Sequence, residues 1–361
     1  MKTTFLIVLL CAACYMAKAQ VTDSLREQNR SIMIYTDEDL NPILQFSNAR
    51  DQNYTMGFGG GFTNPKLEHT LLFKPGEWLT KLFTGRYVYK AEVDHLSPGL
   101  SINGTAFTPD DLQSYDVIAG DRPYAFLLGL SAKQIYLNGS TNELYASDFV
   151  YGVLGLRLGQ TVQTAIHKLM NDGNTHEPFI PRGWPHQISD GGEPTLLYSL
   201  SYEKLLTTNS PGGNTFYELK WGWQGMAGYY NGANVQLGGR LGILNNDNWY
   251  MNFNPMGDMN KGIYAKKKRK FELFVFGGVK PSVMLYNELL SGGFSHSDYT
   301  LGFNQLNHFI LEWESGIGVT LPCKTLTTNI TWAFNSGRTS ELNTAYSRSH
   351  QWGGIYLTFS Y

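Results

Sequence analysis

The sequence predicts an all-β protein: an antiparallel transmembrane β-barrel of about twelve strands, with short helical segments in its external loops. Three observations carry that expectation. Only 16% of the 361 residues are charged, while 14% are aromatic and 39 are Gly; an ordinary soluble domain is about a quarter charged. Tyr, Phe, Gly and Asn stand where Lys and Glu would cover a soluble surface. Beyond the first segment no stretch reaches 18 consecutive apolar residues, which excludes helical membrane spans; weakly alternating segments ended by Gly, Asn, Asp, Pro or Ser recur instead. Finally, in Ile355-Tyr356-Leu357-Thr358-Phe359-Ser360-Tyr361 the residues Ile355, Leu357, Phe359 and Tyr361 share one face, with Thr358 and Ser360 on the other. A greasy terminal strand with no cap is an exposed edge in a soluble protein, whereas a closed barrel pairs its last strand with its first. The formal charge of −2 excludes the broad basic face of a nucleic-acid binder.

The elements follow in order. Lys2, an apolar run from Phe5 to about Ala17 and then Ala17-Lys18-Ala19 before Gln20 form a secretory signal peptide, residues 1–19. Its removal takes away Lys2 and Lys18 and no acid, leaving 26 basic against 30 acidic residues and a formal charge of −4. It also removes Cys11 and Cys14, so the exported chain, residues 20–361, has Cys323 alone and no internal disulfide. That chain reads as one domain, since no strict repeat or low-complexity tract divides it. Strands are expected at about 31–39, 54–62, 87–96, 123–133, 146–158, 195–204, 214–224, 232–243, 271–285, 306–320, 325–335 and the terminus. With the first strand rising from the periplasm, parity makes the loops 40–53, 97–122, 159–194, 225–231, 286–305 and 336–350 external. Residues 244–270 are then periplasmic, and their run Lys266-Lys267-Lys268-Arg269-Lys270 is either a site for phosphorylated lipid headgroups or a solvated strand flank.

Residues able to carry chemistry gather at the external ends. Gly159 to Met170, just past the fifth strand, changes from strand alternation to a helical period. Ile166, Leu169 and Met170 share one side of that short helix and His167 is displaced from them, as a general base or as a loop histidine that only packs. His176, His186, His296, His308 and His350 have bland loop or strand-end readings. Asp37, Glu38 and Asp39 close the first strand, with Asp37 and Asp39 on one face and Glu38 on the other. Carboxylates there bind a hard cation through oxygen, orient an imidazole, or are solvated acids. Tyr54-Thr55-Met56-Gly57 opens the second strand, and Gly120-Asp121-Arg122-Pro123-Tyr124-Ala125 the fourth. Arg122 grips a phosphate or carboxylate as a fork, or pairs structurally with Asp121 or a neighbour.

Taken in order, the acidic strand end, Tyr-Thr-x-Gly, Asp-Arg-Pro-Tyr-Ala, Gln163-x-x-x-His167, Gly183-Trp184-x-x-Gln187 and the closing Phe-Ser-Tyr resemble the outer-membrane lipid A 3-O-deacylase family, the LpxR type, over essentially the whole mature chain. The resemblance implies a twelve-stranded outer-membrane barrel whose external rim hydrolyses the 3′-linked acyl chain of lipid A with the help of Ca²⁺. Its partners are then lipid A or lipopolysaccharide, the lipids of the outer membrane, and the barrel-assembly machinery that takes up an aromatic C-terminal strand. By position, His167 matches the family's catalytic histidine, Asp39 the acid of its Asn-Asp pair and Thr55 its threonine, with Glu38 and Asp39 as candidate Ca²⁺ ligands and Arg122, Gln163 and Lys168 in supporting or substrate-binding roles. Three positions depart from the pattern: Glu38 replaces the family's Asn, no lysine stands between Pro98 and Gly120 where the family has one, and Gly173 replaces an acid. The rival readings are a non-catalytic structural or lipid-binding barrel of the same family and a general porin, which usually has more strands.

Overall fold

The computed structural model describes residues 30–38, 53–171, 180–207, 216–244, 249–250, 271–323 and 326–361. Twelve strands close one antiparallel barrel: β1 (Ser31–Glu38), β2 (Asn53–Thr63), β3 (Gly99–Thr108), β4 (Ala125–Asn138), β5 (Glu143–Leu154), β6 (Glu193–Leu205), β7 (Tyr217–Gly228), β8 (Tyr230–Ile243), β9 (Glu272–Asn287), β10 (Phe309–Pro322), β11 (Thr327–Arg338) and β12 (His350–Ser360). Each pairs with its chain neighbour, and β12 returns to β1 with Ser360 opposite Ser31 and Gly353 opposite Glu38. The terminal strand is thus paired on both sides, with β11 and with β1.

Alternation decides what faces where. Inward residues of neighbouring strands meet as ion pairs: Lys220 with Glu203 at 2.6 Å, Arg240 with Glu218 at 2.6 Å and Glu272 at 3.4 Å, and Glu312 with both Lys280 and Arg338. Asp37, fully buried, accepts hydrogen bonds from Tyr54 at 2.5 Å and Tyr356 at 2.9 Å. Side chains therefore fill the lumen, and each charge removed from water there has a partner. The intervening outward residues, among them Ile32, Ile102, Leu237, Val275, Ile317 and Ile355, are exposed. That is the inverse of a soluble protein and is stable only where the surroundings are hydrocarbon. At the external end a short helix, α3 (Glu288–Ser291), sets buried Leu289 against the inward Leu127, Val150 and Leu197 and covers the lumen.

Two helices lie elsewhere. The connection between β2 and β3, on the periplasmic side by parity, carries α1 (Lys74–Thr84); α2 (Leu158–Asn171) follows β5 in an external loop. The expectation of a third strand at 87–96 is corrected here. Tyr87–Tyr89 is a 3₁₀ turn, and only Asp94–His95 adds a two-residue strand beside β4. The third barrel strand is Gly99–Thr108, and the external loop after it starts at 109. In 87–96 the alternating aromatics pack on the outer wall, Val88 and Val93 against Tyr136. The true strand hides its signal because its inward Ser101 and Asn103 bond each other. Helical structure, expected in external loops, also occurs in α1, on the side that parity makes periplasmic.

Residues 1–19, Asp39, Gly173, His176 and Lys266 to Lys270 lie outside the described residues, as does the side chain of His167.

Candidate active site on the outer wall

After β5 the chain turns back over the barrel. Gly155 makes the turn with φ 82°, and a Cβ there would lie 1.9 Å from the carbonyl oxygen of Ser189, so only glycine serves. The Gly155 N–H donates to the Phe126 carbonyl at 2.8 Å, and the Ile188 N–H to that of Tyr124 at 2.8 Å, which ties both ends of the loop to the end of β4. This start carries α2 onto the outside of the wall. Phe126 alternates with inward Ala125 and Leu127, and its ring packs outside with Met56 of β2, Ala106 of β3, Tyr124 and Trp184, with Val162 of α2 against them. Gly159 is the point of closest approach: a Cβ on it would come within 2.8 Å of both Trp184 and Phe126. One turn on, buried Gln163 accepts a hydrogen bond from the Trp184 indole N–H at 2.7 Å.

The wall beneath supplies the other candidates. Thr55 is the extra residue of a β-bulge: Tyr54 opposes Phe107 and Met56 opposes Ala106, with Thr55 between them. The bulge turns Tyr54 inward to Asp37 and leaves Thr55 on the outer side, where its hydroxyl shares a hydrogen bond with Thr108 at 2.7 Å. Glu38 pairs in register with Met56, on the same side, and its carboxylate accepts from the Thr36 hydroxyl at 3.2 Å. Glu38 and Thr55 therefore lie on the same outer face as Met56, whose cluster with Phe126 and Trp184 carries α2 through Val162. His167 stands on α2 one turn past Gln163, and Lys168 beside it is exposed.

Two other residues read as site candidates face away. Asp37 is taken by the lumenal tyrosines. Arg122 is 2% exposed, pairs with Glu341 inside the barrel and lies 4.2 Å over the Phe107 ring. Burial pulls its pKa below the usual guanidinium value while Glu341 opposes the shift. That is the structural ion pair, made with Glu341 rather than Asp121, which instead pairs with Arg348 at 2.8 Å. As for a cation, Glu38 and Thr55 present oxygen donors, the type that Ca²⁺ takes; among the described residues no group of three or more His, Cys, Asp or Glu gathers as a metal site.

Sequence reasoning missed the role of Gly159 and the pairing of His186 with Asp298. His186 Nδ1 lies 2.6 Å from the Asp298 carboxylate, beside a shallow cleft of about 310 Å³, open space included, lined also by Asp111, Asp116, Tyr124 and Tyr299. With the partners 112 positions apart in the chain, no local pattern announces the pair.

A polar, side-chain-filled lumen and an apolar outer band define an outer-membrane β-barrel, and the candidate residues Glu38 and Thr55 stand on its lipid-facing side. Comparison with known families refines that class. The model of the family "Outer membrane protein LpxR" matches residues 5–361, and the chain belongs to that family. Its fold is similar to that of LpxR from Salmonella typhimurium, with TM-score 0.67 and 17% identity over 91% of this chain and 99% of that one. Two other barrels are more distant: the β domain of the Bordetella autotransporter BrkA, with TM-score 0.41 and 8% identity over 92% of this chain and 98% of that one, and the translocator domain of NalP from Neisseria meningitidis, with TM-score 0.39 and 9% identity over 100% and 97%. Comparison with curated protein sequences gives no match.

Proposed function

We propose that the protein is an outer-membrane esterase that hydrolyses the 3′-linked acyl or acyloxyacyl chain of lipid A. One observation supports the reading: Glu38 and Thr55 lie on the lipid-facing side of the wall, as does the cluster that seats the helix bearing His167, at the end that strand parity makes external. A substrate whose acyl chains lie in the outer leaflet and whose sugars lie at the surface reaches that patch without leaving the membrane. Family membership points to the same chemistry.

In this mechanism His167 takes a proton from water and the resulting hydroxide attacks the ester carbonyl. The tetrahedral oxyanion collapses with cleavage of the bond to the sugar oxygen, and His167 returns the proton to that oxygen, leaving a free 3′ hydroxyl and a fatty acid that loses its own proton to solvent. Asp39 holds the imidazole, and the Thr55 hydroxyl is a donor at the edge of the patch. Ca²⁺, held by the Glu38 and Asp39 carboxylates, would supply a Lewis acid for the ester carbonyl. Gln163 fixes α2 through Trp184, and Lys168 offers an exposed cation to a substrate phosphate.

Mass spectrometry of lipid A before and after incubation with the purified barrel tests this. The expected result is loss of one 3′-linked chain in the presence of Ca²⁺, abolished by chelation and by His167→Ala, with the barrel still heat-modifiable on gels. Full folding with no mass loss at any Ca²⁺ concentration would instead select the non-catalytic, lipid-binding reading, which the departures at Glu38 and Gly173 favour.

A further inference from the structure

The segment between β2 and β3 leaves the periplasmic end of the barrel and returns to it, since the Asn64 N–H donates to the Pro98 carbonyl at 3.1 Å. Between those points it lies on the outside of the wall. Ser147 and Phe149 of β5 alternate with inward Asp148, and Tyr198 of β6 with inward Leu197 and Ser199, so all three point outward. α1 rests on them through small residues: a Cβ on Gly76 would lie 3.3 Å from the Ser147 hydroxyl, and the Thr80 hydroxyl is 3.1 Å from that of Tyr198. Close approach through small residues is how helices pack where apolar contact alone gives no drive. The Tyr151 hydroxyl adds a bond to the Leu72 carbonyl at 2.9 Å, and the Phe83 ring stacks on Tyr198.

The opposite face is apolar and open. Trp78 on that face is 64% exposed and Leu82 61%; at its margins Leu71, just ahead of the helix, is 83% exposed, and Phe83, whose ring also touches Tyr198, 65%. Charges within the helix are managed: Lys74 pairs with Glu77 at 2.9 Å, and Lys81 reaches over the Tyr89 ring at 5.9 Å. Past the helix come Arg86, Tyr87, Tyr89 and Lys90, with Lys90 over the Tyr87 ring at 5.0 Å, then exposed Glu92 and Asp94. Along the chain this order is hydrocarbon, interfacial tyrosine with snorkelling cations, then water.

We propose that α1 and the turn after it form a second lipid-contacting element, seated in phospholipids of the periplasmic leaflet, with Trp78, Leu82 and Phe83 among the acyl chains and Arg86 and Lys90 at the phosphates. The occupant is lipid because this face continues the apolar band of the strands: Leu196 of β6, two residues before covered Tyr198, is itself 51% exposed. The inference concerns the opposite half of the barrel from the candidate active site and does not depend on catalysis.

The full barrel and its Trp78→Phe variant, refolded into phosphatidylcholine vesicles with or without bromine on the acyl chains, test it. The difference between the two emission spectra isolates Trp78. Bromolipid is expected to remove most of that emission and aqueous acrylamide to leave it. Quenching by acrylamide but not by bromolipid would overturn the proposal by placing the face in water; resistance to both would overturn it by placing the face against protein. The double variant Trp78→Phe/Leu82→Trp moves the reporter one turn along α1 and has to give the same pattern.

Discussion

α1 and α2 both pack on the outside of the barrel, α1 over β5 and β6 and α2 over the end of β4, yet their free faces differ. That of α1 is apolar, with Trp78, Leu82 and Phe83 exposed; that of α2 shows Thr161, Ala165 and Lys168 to the outside. Both are held by a close approach at a glycine, Gly76 against Ser147 and Phe149, Gly159 against Trp184 and Phe126. The polarity of the free face goes with position along the wall: α2 follows the end of β5 that strand parity makes external, and α1 lies against Ser147, Phe149 and Tyr198 in the middle of β5 and β6. A helix on a barrel exterior thus reveals its surroundings by the face that does not pack, and the proposed hydrolytic chemistry belongs to α2, whose free face is polar.

The sharpest way to break the comparison is to lift each helix by the same change. Gly159→Val drives a branched side chain into Trp184 and Phe126 and displaces the helix that bears His167. A displacement of about 1 Å at a reacting group costs on the order of 10²-fold in rate, and lipid A mass spectrometry should show deacylation falling by that much. Gly76→Val meets looser neighbours, Ser147 at 3.3 Å and Phe149 at 3.5 Å from its Cβ, but its branches crowd the same seam and are expected to cost about 1–3 kcal/mol in urea unfolding from vesicles, with the deacylation rate unchanged. Equal losses of activity in the two variants would mean that the helices are not independent.

A smaller effect tests how α2 is held. Gln163→Leu strands the Trp184 indole N–H in an apolar cluster, at about 1–3 kcal/mol. If Gln163 acts only by positioning, kcat falls, KM for lipid A stays near its original value, and Gln163→Glu, which keeps the acceptor, restores most of the rate. A change confined to KM would make Gln163 a substrate contact instead.

The barrel was legible because its alternation, though weak, recurs and ends in an aromatic strand; β1, β2 and β10–β12 fall close to their expected places. α1 was not, for a physical reason. A helix in a soluble protein buries its apolar residues and exposes its polar ones, whereas α1 buries Gly76 and Thr80 and exposes Trp78 and Leu82, so its pattern points away from its packing. At the site, the order of motifs along the chain was visible and placed His167 at the rim. The destination of Arg122 was not, because its partner Glu341 stands 219 residues away and is brought near only when the barrel closes. Asp37 turns inward by alternation with Met33 and Tyr35; what was not legible is its partner Tyr54, which the bulge at Thr55 rotates toward it.

The mildest change separates the two helices most cleanly. Thr80→Val keeps the shape of the residue and removes the hydroxyl shared with Tyr198 and bonded to the Gly76 carbonyl at 2.7 Å. The net worth of such a bond is about 1 kcal/mol, so urea unfolding should shift slightly while lipid A turnover stays constant. The Tyr198 hydroxyl then has fewer partners on a wall that faces hydrocarbon, where water does not replace them. A loss well above that figure would show that α1 is clamped by this polar contact more than by its apolar face, and Tyr198→Phe combined with Thr80→Val should then recover part of it by removing both halves of the pair.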